Sequence, residues 1–165
     1  MKAKVYLEST VISVLAARPS GEPTIAAMQE WTHRWWNEKR TEFDLFVSDY
    51  VLDEISRGDR EQSAKRRELI SEISFLASTK TARRLARKLA RVISLPASAR
   101  TDAFHIAIAI EGGIDFLLTW NCAHIANPFN QRIIRKMAKA RMRNAPLICS
   151  PREFLDGAVD ATRSD

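Results

Sequence analysis

Cysteine is nearly absent from the chain and glycine is scarce. The two thiols, Cys122 and Cys149, are too few for a disulfide framework and lack the paired spacing of a zinc site, so a reducing compartment is the simplest reading. Five glycines and six prolines in 165 residues exclude collagen-like and low-complexity chains. No segment matches GxGxxG or GxxxxGK[ST], which removes most of the support for a nucleotide-cofactor enzyme. No apolar run approaches the length of a membrane span. Residues 5 to 17 follow Lys2 and Lys4 much as a signal peptide would, but Glu8, Ser9, Thr10 and Ser13 interrupt the apolar stretch. The expectation is a cytoplasmic protein with no membrane partner.

What the chain does contain is apolar and charged residues in globular proportion, 45% and 28%. That composition and length predict a single domain over 1–157, with a frayed, disordered tail over 158–165. Lys and Arg number 26 against 20 Asp and Glu, a net charge of +6. The excess is unevenly spread. From Arg57 to Arg100 the chain carries twelve basic and four acidic residues, and from Arg132 to Arg143 it carries six basic residues and no acid. Either run alone reads equally well as a solvated helix face. As a pair of one-signed surfaces they favour a polyphosphate partner, RNA, with Arg84, Arg87, Lys88, Arg135 and Lys136 as candidate contacts.

Short apolar segments alternate with helical periodicity. Val5-Tyr6-Leu7, residues 43–47, Phe116-Leu117-Leu118 and Leu147-Ile148-Cys149 read as buried strands. Between them, residues 24–39, 66–77, 82–93, 98–110 and 127–142 read as helices, with a short helix face at Val51, Leu52 and Ile55. Ser98 is the expected N-cap of the fourth long helix and Gly112-Gly113 its stop. Asn127-Pro128 should open the basic helix, and Ser150-Pro151-Arg152-Glu153 has the form of a capping box. This alternation predicts an α/β protein, a three-layer α/β/α sandwich around a parallel sheet of four to five strands. Ligands in that class bind outside the carboxyl ends of the strands.

Three acids fall where such a crevice would be. Glu8 ends the first strand, Glu54 flanks the Val51/Leu52/Ile55 face while Asp53 points nearly opposite, and Asp102 lies in the first turn of an apolar helix. Simple helix-end stabilisation is the plain alternative for Asp102. Crowded carboxylates take up protons unless a cation offsets their charge, and Mg²⁺ or Mn²⁺ suits such oxygen ligands. Ser9, Thr10 and Thr119 are candidates for orienting water or substrate, although hydroxyls at strand ends equally well cap the following turn. His105, one turn after Asp102 in an apolar helix, reads as a hydrogen-bonded core histidine in preference to a general base, and the role of His124 stays open. The tryptophans of residues 24–39 read as core in preference to a base-stacking platform.

The segments Tyr6-Leu7-Glu8-Ser9-Thr10, residues 48–54, Thr101-Asp102-Ala103-Phe104-His105-Ile106-Ala107 and Asp115-Phe116-Leu117-Leu118-Thr119-Trp120-Asn121 resemble, in order, those of PIN-domain proteins of the VapC toxin type. The resemblance spans residues 3 to 155. It implies a metal-dependent ribonuclease using Mg²⁺ or Mn²⁺, with catalytic positions at Glu8, Glu54, Asp102 and Asn121 and metal ligands Glu8, Glu54 and Asp102. It also implies in-line hydrolysis leaving 5′-phosphate and 3′-hydroxyl ends, a small antitoxin protein as partner, and a homodimer for which residues 62 to 77 and the Trp31/Trp35 helix offer apolar faces. Two positions depart from the family pattern. Glu8 stands where Asp is usual, and Asn121 stands at the fourth acidic position, with one negative charge fewer. The competing reading is a PIN-fold RNA-binding module with weak or no catalysis.

Overall fold

In the computed structural model, which describes residues 1–93 and 95–157, five short strands form one parallel sheet. They are β1 (Lys4–Leu7), β2 (Asp44–Ser48), β3 (Ser74–Leu76), β4 (Phe116–Leu118) and β5 (Leu147–Cys149), in the order β3-β2-β1-β4-β5. Among the described residues eight α-helices connect and cover them: α1 (Ser9–Ala16), α2 (Pro23–Glu38), α3 (Asp49–Ile55), α4 (Arg60–Leu69), α5 (Lys80–Val92), α6 (Arg100–Glu111), α7 (Pro128–Lys139) and α8 (Pro151–Leu155). The result is a three-layer α/β/α sandwich, as the alternation requires. The tail over 158–165 lies outside the described residues.

Strand order explains where a site can form. The chain runs from β1 outward through β2 to β3, then returns to place β4 on the other side of β1, with Tyr6 opposite Leu117 and Leu7 opposite Leu118. The connections after β1 and β4 therefore leave to opposite sides, which makes the carboxyl ends of these two strands the switch point at which this fold class forms its crevice. Glu8 and Thr119 are the residues that follow these strands. Central β1 is buried on both faces, with Val5, Tyr6 and Leu7 fully covered.

Local chemistry sets most of the element ends. The Asn127 side chain accepts the N–H groups of Phe129 and Asn130 ahead of Pro128, and Ser150 and Glu153 form the reciprocal capping box. Gly113 takes φ of +63°, the left-handed turn that stops α6. The unbroken apolar composition of α6 is matched by burial of every residue from His105 to Ile110.

Two expectations fail on tertiary grounds. The helix anticipated over 66–77 is the end of α4, which starts earlier at the Asp59 cap, followed by strand β3. Leu69, Ile70, Ile73 and Leu76 fit a helical period, but pairing of β3 with the exposed edge of β2, from Phe46 opposite Ser74 to Ser48 opposite Leu76, overrides it. Phe75 is half exposed on this edge strand, so no run of buried β-branched residues marks it. Ser98 does not cap α6 either. Residues Ala97–Ala99 form a 3₁₀ turn after Pro96, and α6 begins at Arg100 without a side-chain cap. Asp102 remains in its first turn. The tryptophans are largely core, with Trp35 fully buried, while Trp31 stacks on Trp120 and lies under the Arg152 guanidinium. Of the two tryptophans on the helix that offers a face for self-association, Trp35 is thus covered within the chain, while Ile25 on the same helix is exposed.

Candidate active site

Glu8 leaves the end of β1 with extended backbone (φ −79°, ψ 155°) and becomes the N-cap residue of α1, yet its side chain caps nothing. It turns instead into the crevice, where the residue is only 3% exposed. An unpartnered carboxylate there would be costly. Three hydroxyls partner it. Ser9 donates to Oε1 at 2.7 Å, and Thr10 and Thr119 donate to Oε2 at 2.5 and 2.8 Å. The two threonines are themselves oriented, because each Oγ1 accepts a backbone N–H from the loop after β4, Thr10 from Trp120 and Thr119 from Asn121, both at 2.9 Å. A hydroxyl that accepts from the backbone has its own proton free for Glu8. The hydroxyls expected to orient water or substrate are thus engaged in fixing this carboxylate. With about four acceptor sites on a carboxylate and three used, Oε1 keeps one open.

Glu54 projects from α3 and meets His105 of α6, Oε2 to Nε2 at 2.9 Å. The imidazole is fully buried, and its Nδ1 lies 2.8 Å from the Tyr6 hydroxyl, which contacts Ser48 Oγ at 2.7 Å. Both ring nitrogens are occupied. His105 is a hydrogen-bonded core histidine as its setting predicted, and it ties the half-buried Glu54 to β1 and β2. Burial would lower the basicity of His105, but its bond to Glu54 and the charges of Glu8, Glu54 and Asp102 prevail and raise its pKa. Burial likewise pushes the Glu54 carboxyl upward, and the bond and charge of His105, with help from Ser9 and Arg57, prevail and hold it below the usual range. Asp53 faces away and pairs with Arg57 in solvent.

Ligand atoms of Glu8, Glu54 and His105 all lie within 4.8 Å of one another. Asp102 stands next to this tight group. Burial raises its carboxyl above the usual range, a bond from the Asn121 amide opposes the rise, and the charge of Glu8 reinforces it. The fold therefore brings Glu8 and Glu54 from separate elements to one spot, with Asp102 within reach of the charge of Glu8. Hard oxygen donors of this kind suit Mg²⁺ or Mn²⁺, and Glu8 and Glu54 each keep acceptor capacity not taken by their protein partners. Having no free ring nitrogen, His105 supports the set without belonging to it.

Asn121 shapes the loop. Its Oδ1 accepts the His124 N–H at 3.1 Å, and its backbone carbonyl accepts from Ile125 and Ala126. The amide oxygen is committed to this turn. The basic residues divide. Arg84, Arg87 and Lys88 are exposed on α5, which packs against α6. Arg135, with Lys2, Lys4 and Asp115, lines a cavity of about 610 Å³ at the amino ends of β1, β4 and β5, the opposite end of the sheet from Glu8, and Lys136 is exposed beside Arg135 on α7. The α7 residues are therefore remote from the carboxylates.

No protein-family model matches the sequence, and no curated protein matches it by sequence. Solved structures do match its fold. VapBC2 from Rickettsia felis, bound to a DNA fragment from its promoter, superimposes with a TM-score of 0.56 at 9% identity, over 89% of this chain and 98% of that one. The fold is that of the VapC toxins. VapC20 of Mycobacterium tuberculosis, a sarcin-ricin loop cleaving toxin, shares the VapC fold at a TM-score of 0.50 and 13% identity, over 72% of this chain and 91% of that one.

Sequence reasoning leaves Tyr6 and Ser48 unassigned. A signal for them exists: Tyr6 and Glu8 lie two apart along a strand, and Asp102 and His105 lie three apart on a helix, so each pair shares a face. Polar atoms recurring on such a face within otherwise apolar segments mark a network.

Proposed function

We propose that the protein is a divalent-metal-dependent ribonuclease that hydrolyses RNA phosphodiesters, acting as the toxin of a toxin–antitoxin pair. What supports this reading is the close approach of Glu8 and Glu54 at the strand switch point of a VapC-type fold, with Asp102 near enough for the charge of Glu8 to raise its carboxyl. Its neighbours of that fold include a VapBC complex and a loop-cleaving VapC, which favours a small antitoxin as partner.

Glu8, Glu54 and Asp102 would hold Mg²⁺ or Mn²⁺. Bound there, the cation supplies Lewis acidity that makes water a nucleophile near neutral pH and offsets charge on the reacting phosphate. The chain's own groups do the rest. Three hydroxyls fix Glu8 in one orientation, so its remaining acceptor site faces a constant direction. His105 anchors Glu54 and keeps it ionised. Asp102 completes the set from the first turn of α6. In-line displacement then yields 5′-phosphate and 3′-hydroxyl ends.

Asn121 sustains a second reading, an RNA-binding module with weak or absent catalysis, because the site lacks a fourth acid. Incubating generic single-stranded RNA with wild type and Asp102→Asn, with Mn²⁺ or with chelator, separates them. The nuclease reading expects cleavage by wild type with Mn²⁺ alone. RNA bound but left intact by wild type with metal would favour the module. Expression without a partner should slow growth, and harmless expression would count against the toxin role.

A further inference from the structure

The outer flank of α6 carries a feature that the carboxylate site does not use. Helix α5 sets Arg84, Arg87, Lys88 and Arg91 at i, i+3, i+4 and i+7, one exposed stripe opposite the buried Ala82, Leu85, Ala86 and Leu89. Like charges at these spacings repel, and among the described residues none of the four has a carboxylate within ion-pair distance. Beside the stripe, between α5 and α6, lies a groove of about 680 Å³. Arg87, Arg91 and Arg100 line it together with the apolar Ala86, Leu95 and Phe104, and no acid does.

The groove and the site share helix α6. Arg100 and Phe104 share the first turns of α6 with Asp102, which lies between them in sequence and on the other side of the helix. The Phe104 ring stacks on Tyr50 with centroids 4.5 Å apart, and Tyr50 stands edge-on to His105 at 6.5 Å. One aromatic pair thus separates the groove from the buried network that holds Glu54.

We propose that the α5/α6 groove is a subsite for single-stranded RNA, with Arg87, Arg91 and Arg100 on its phosphates and Phe104 against a base. The inference deepens the nuclease reading and rests on it for the path of the strand toward Asp102. Guanidinium forks match phosphate oxygens, and a base reaches an aromatic ring only when it is unpaired. Alternation of three cations with one ring suits a nucleotide chain. The groove's apolar lining, Ala86, Ala90, Leu95 and Phe104, offers one aromatic ring among small and aliphatic groups flanked by three guanidiniums, which suits a nucleotide chain better than the broad apolar ridge of an amphipathic helix.

The test measures binding of a short fluorescent mixed-sequence oligoribonucleotide with metal chelated, so that cleavage plays no part. Arg87→Gln/Arg91→Gln should weaken binding and flatten its dependence on log salt by about 1.4, roughly 0.7 for each phosphate no longer neutralised. Phe104→Leu should weaken binding about tenfold without changing the salt slope. Circular dichroism and melting temperature check that each variant is folded, and Arg100→Gln supplies an independent variant if one is not. Unchanged affinity and slope in the folded arginine variants, or no binding by wild type, overturns the proposal; in the first case the groove is left to an acidic peptide. The two readings fail separately. Groove-dependent binding without Mn²⁺-dependent cleavage sinks the nuclease and keeps the subsite, whereas cleavage with binding indifferent to the groove does the reverse.

Discussion

Replacing Thr119 by Val removes one oxygen and changes almost nothing in shape. In the native protein that oxygen donates to Glu8 at 2.8 Å and accepts the Asn121 N–H at 2.9 Å, at a fully buried position. A hydrogen bond to a charged group contributes about 1.5–3 kcal/mol, and a neutral one about 1 kcal/mol. Removing both should cost about 2.5–4 kcal/mol. For a domain of this size each kcal/mol moves the melting temperature by about 2–4 °C, so a fall of about 5–15 °C is expected. Thr119→Ser keeps the hydroxyl and deletes one methyl, which costs about 1 kcal/mol. Thermal melts monitored by circular dichroism, with chelator present, compare the two. In a Glu8→Gln background the cost of Thr119→Val should shrink, because the charge-assisted part of the bond has already gone. Equal melting temperatures for Thr119→Val and Thr119→Ser would refute the claim that the hydroxyl holds Glu8.

Two further predictions concern the buried network. Tyr6→Phe deletes the hydroxyl that contacts His105 Nδ1 and Ser48 Oγ; it should destabilise by about 1–3 kcal/mol and weaken Mn²⁺ affinity through Glu54, and unchanged affinity by calorimetry would remove His105 from the support of the site. Stability should also depend on pH. His105 is raised above its ordinary 6.5, so its contribution is complete below that value and is lost as pH rises through the higher native value. Glu54 is lowered from 4.5, so its contribution is present above 4.5 and lost as pH falls through the lower native value. Asp102, raised from 3.8, is stabilising below 3.8 and loses that contribution as pH rises through its higher native value. Urea midpoints with chelator present should therefore decline from pH 6.5 upward in wild type and not in His105→Gln, and a parallel decline in both would contradict the assignment.

The parts of this molecule that are readable in one dimension are those set by local chemistry. The Asn127 and Ser150 caps, the Gly113 stop and the buried runs of β1, β4 and α6 depend on neighbours a few residues away. Strand β3 is not readable, because its conformation comes from the edge of β2, and the apolar spacing of its residues mimics a helix. Among site residues, position along elements is enough to single out Glu8, Glu54 and Asp102 as candidates, and the structure draws Glu8 and Glu54 together. Roles are harder. Nothing near Ser9, Thr10 and Thr119 in sequence marks their hydroxyls as engaged, yet backbone N–H groups from the β4 loop turn the two threonines onto Glu8, a constraint that joins Thr10 to Trp120 across 110 positions of chain. The basic residues show the same limit. Composition ranks α5 and α7 alike, and only the topology puts α5 beside the α6 turn that carries Asp102 and Arg135 of α7 at the far end of the sheet.

Everything assigned to the crevice requires that its acids take up a divalent ion. Isothermal titration of the metal-free protein with MnCl₂ measures this directly, without RNA and without turnover. Saturable binding by wild type that is strongly weakened in both Glu8→Gln and Asp102→Asn is the predicted result. No heat of binding up to millimolar Mn²⁺, or equal affinity in wild type and both variants, would contradict it.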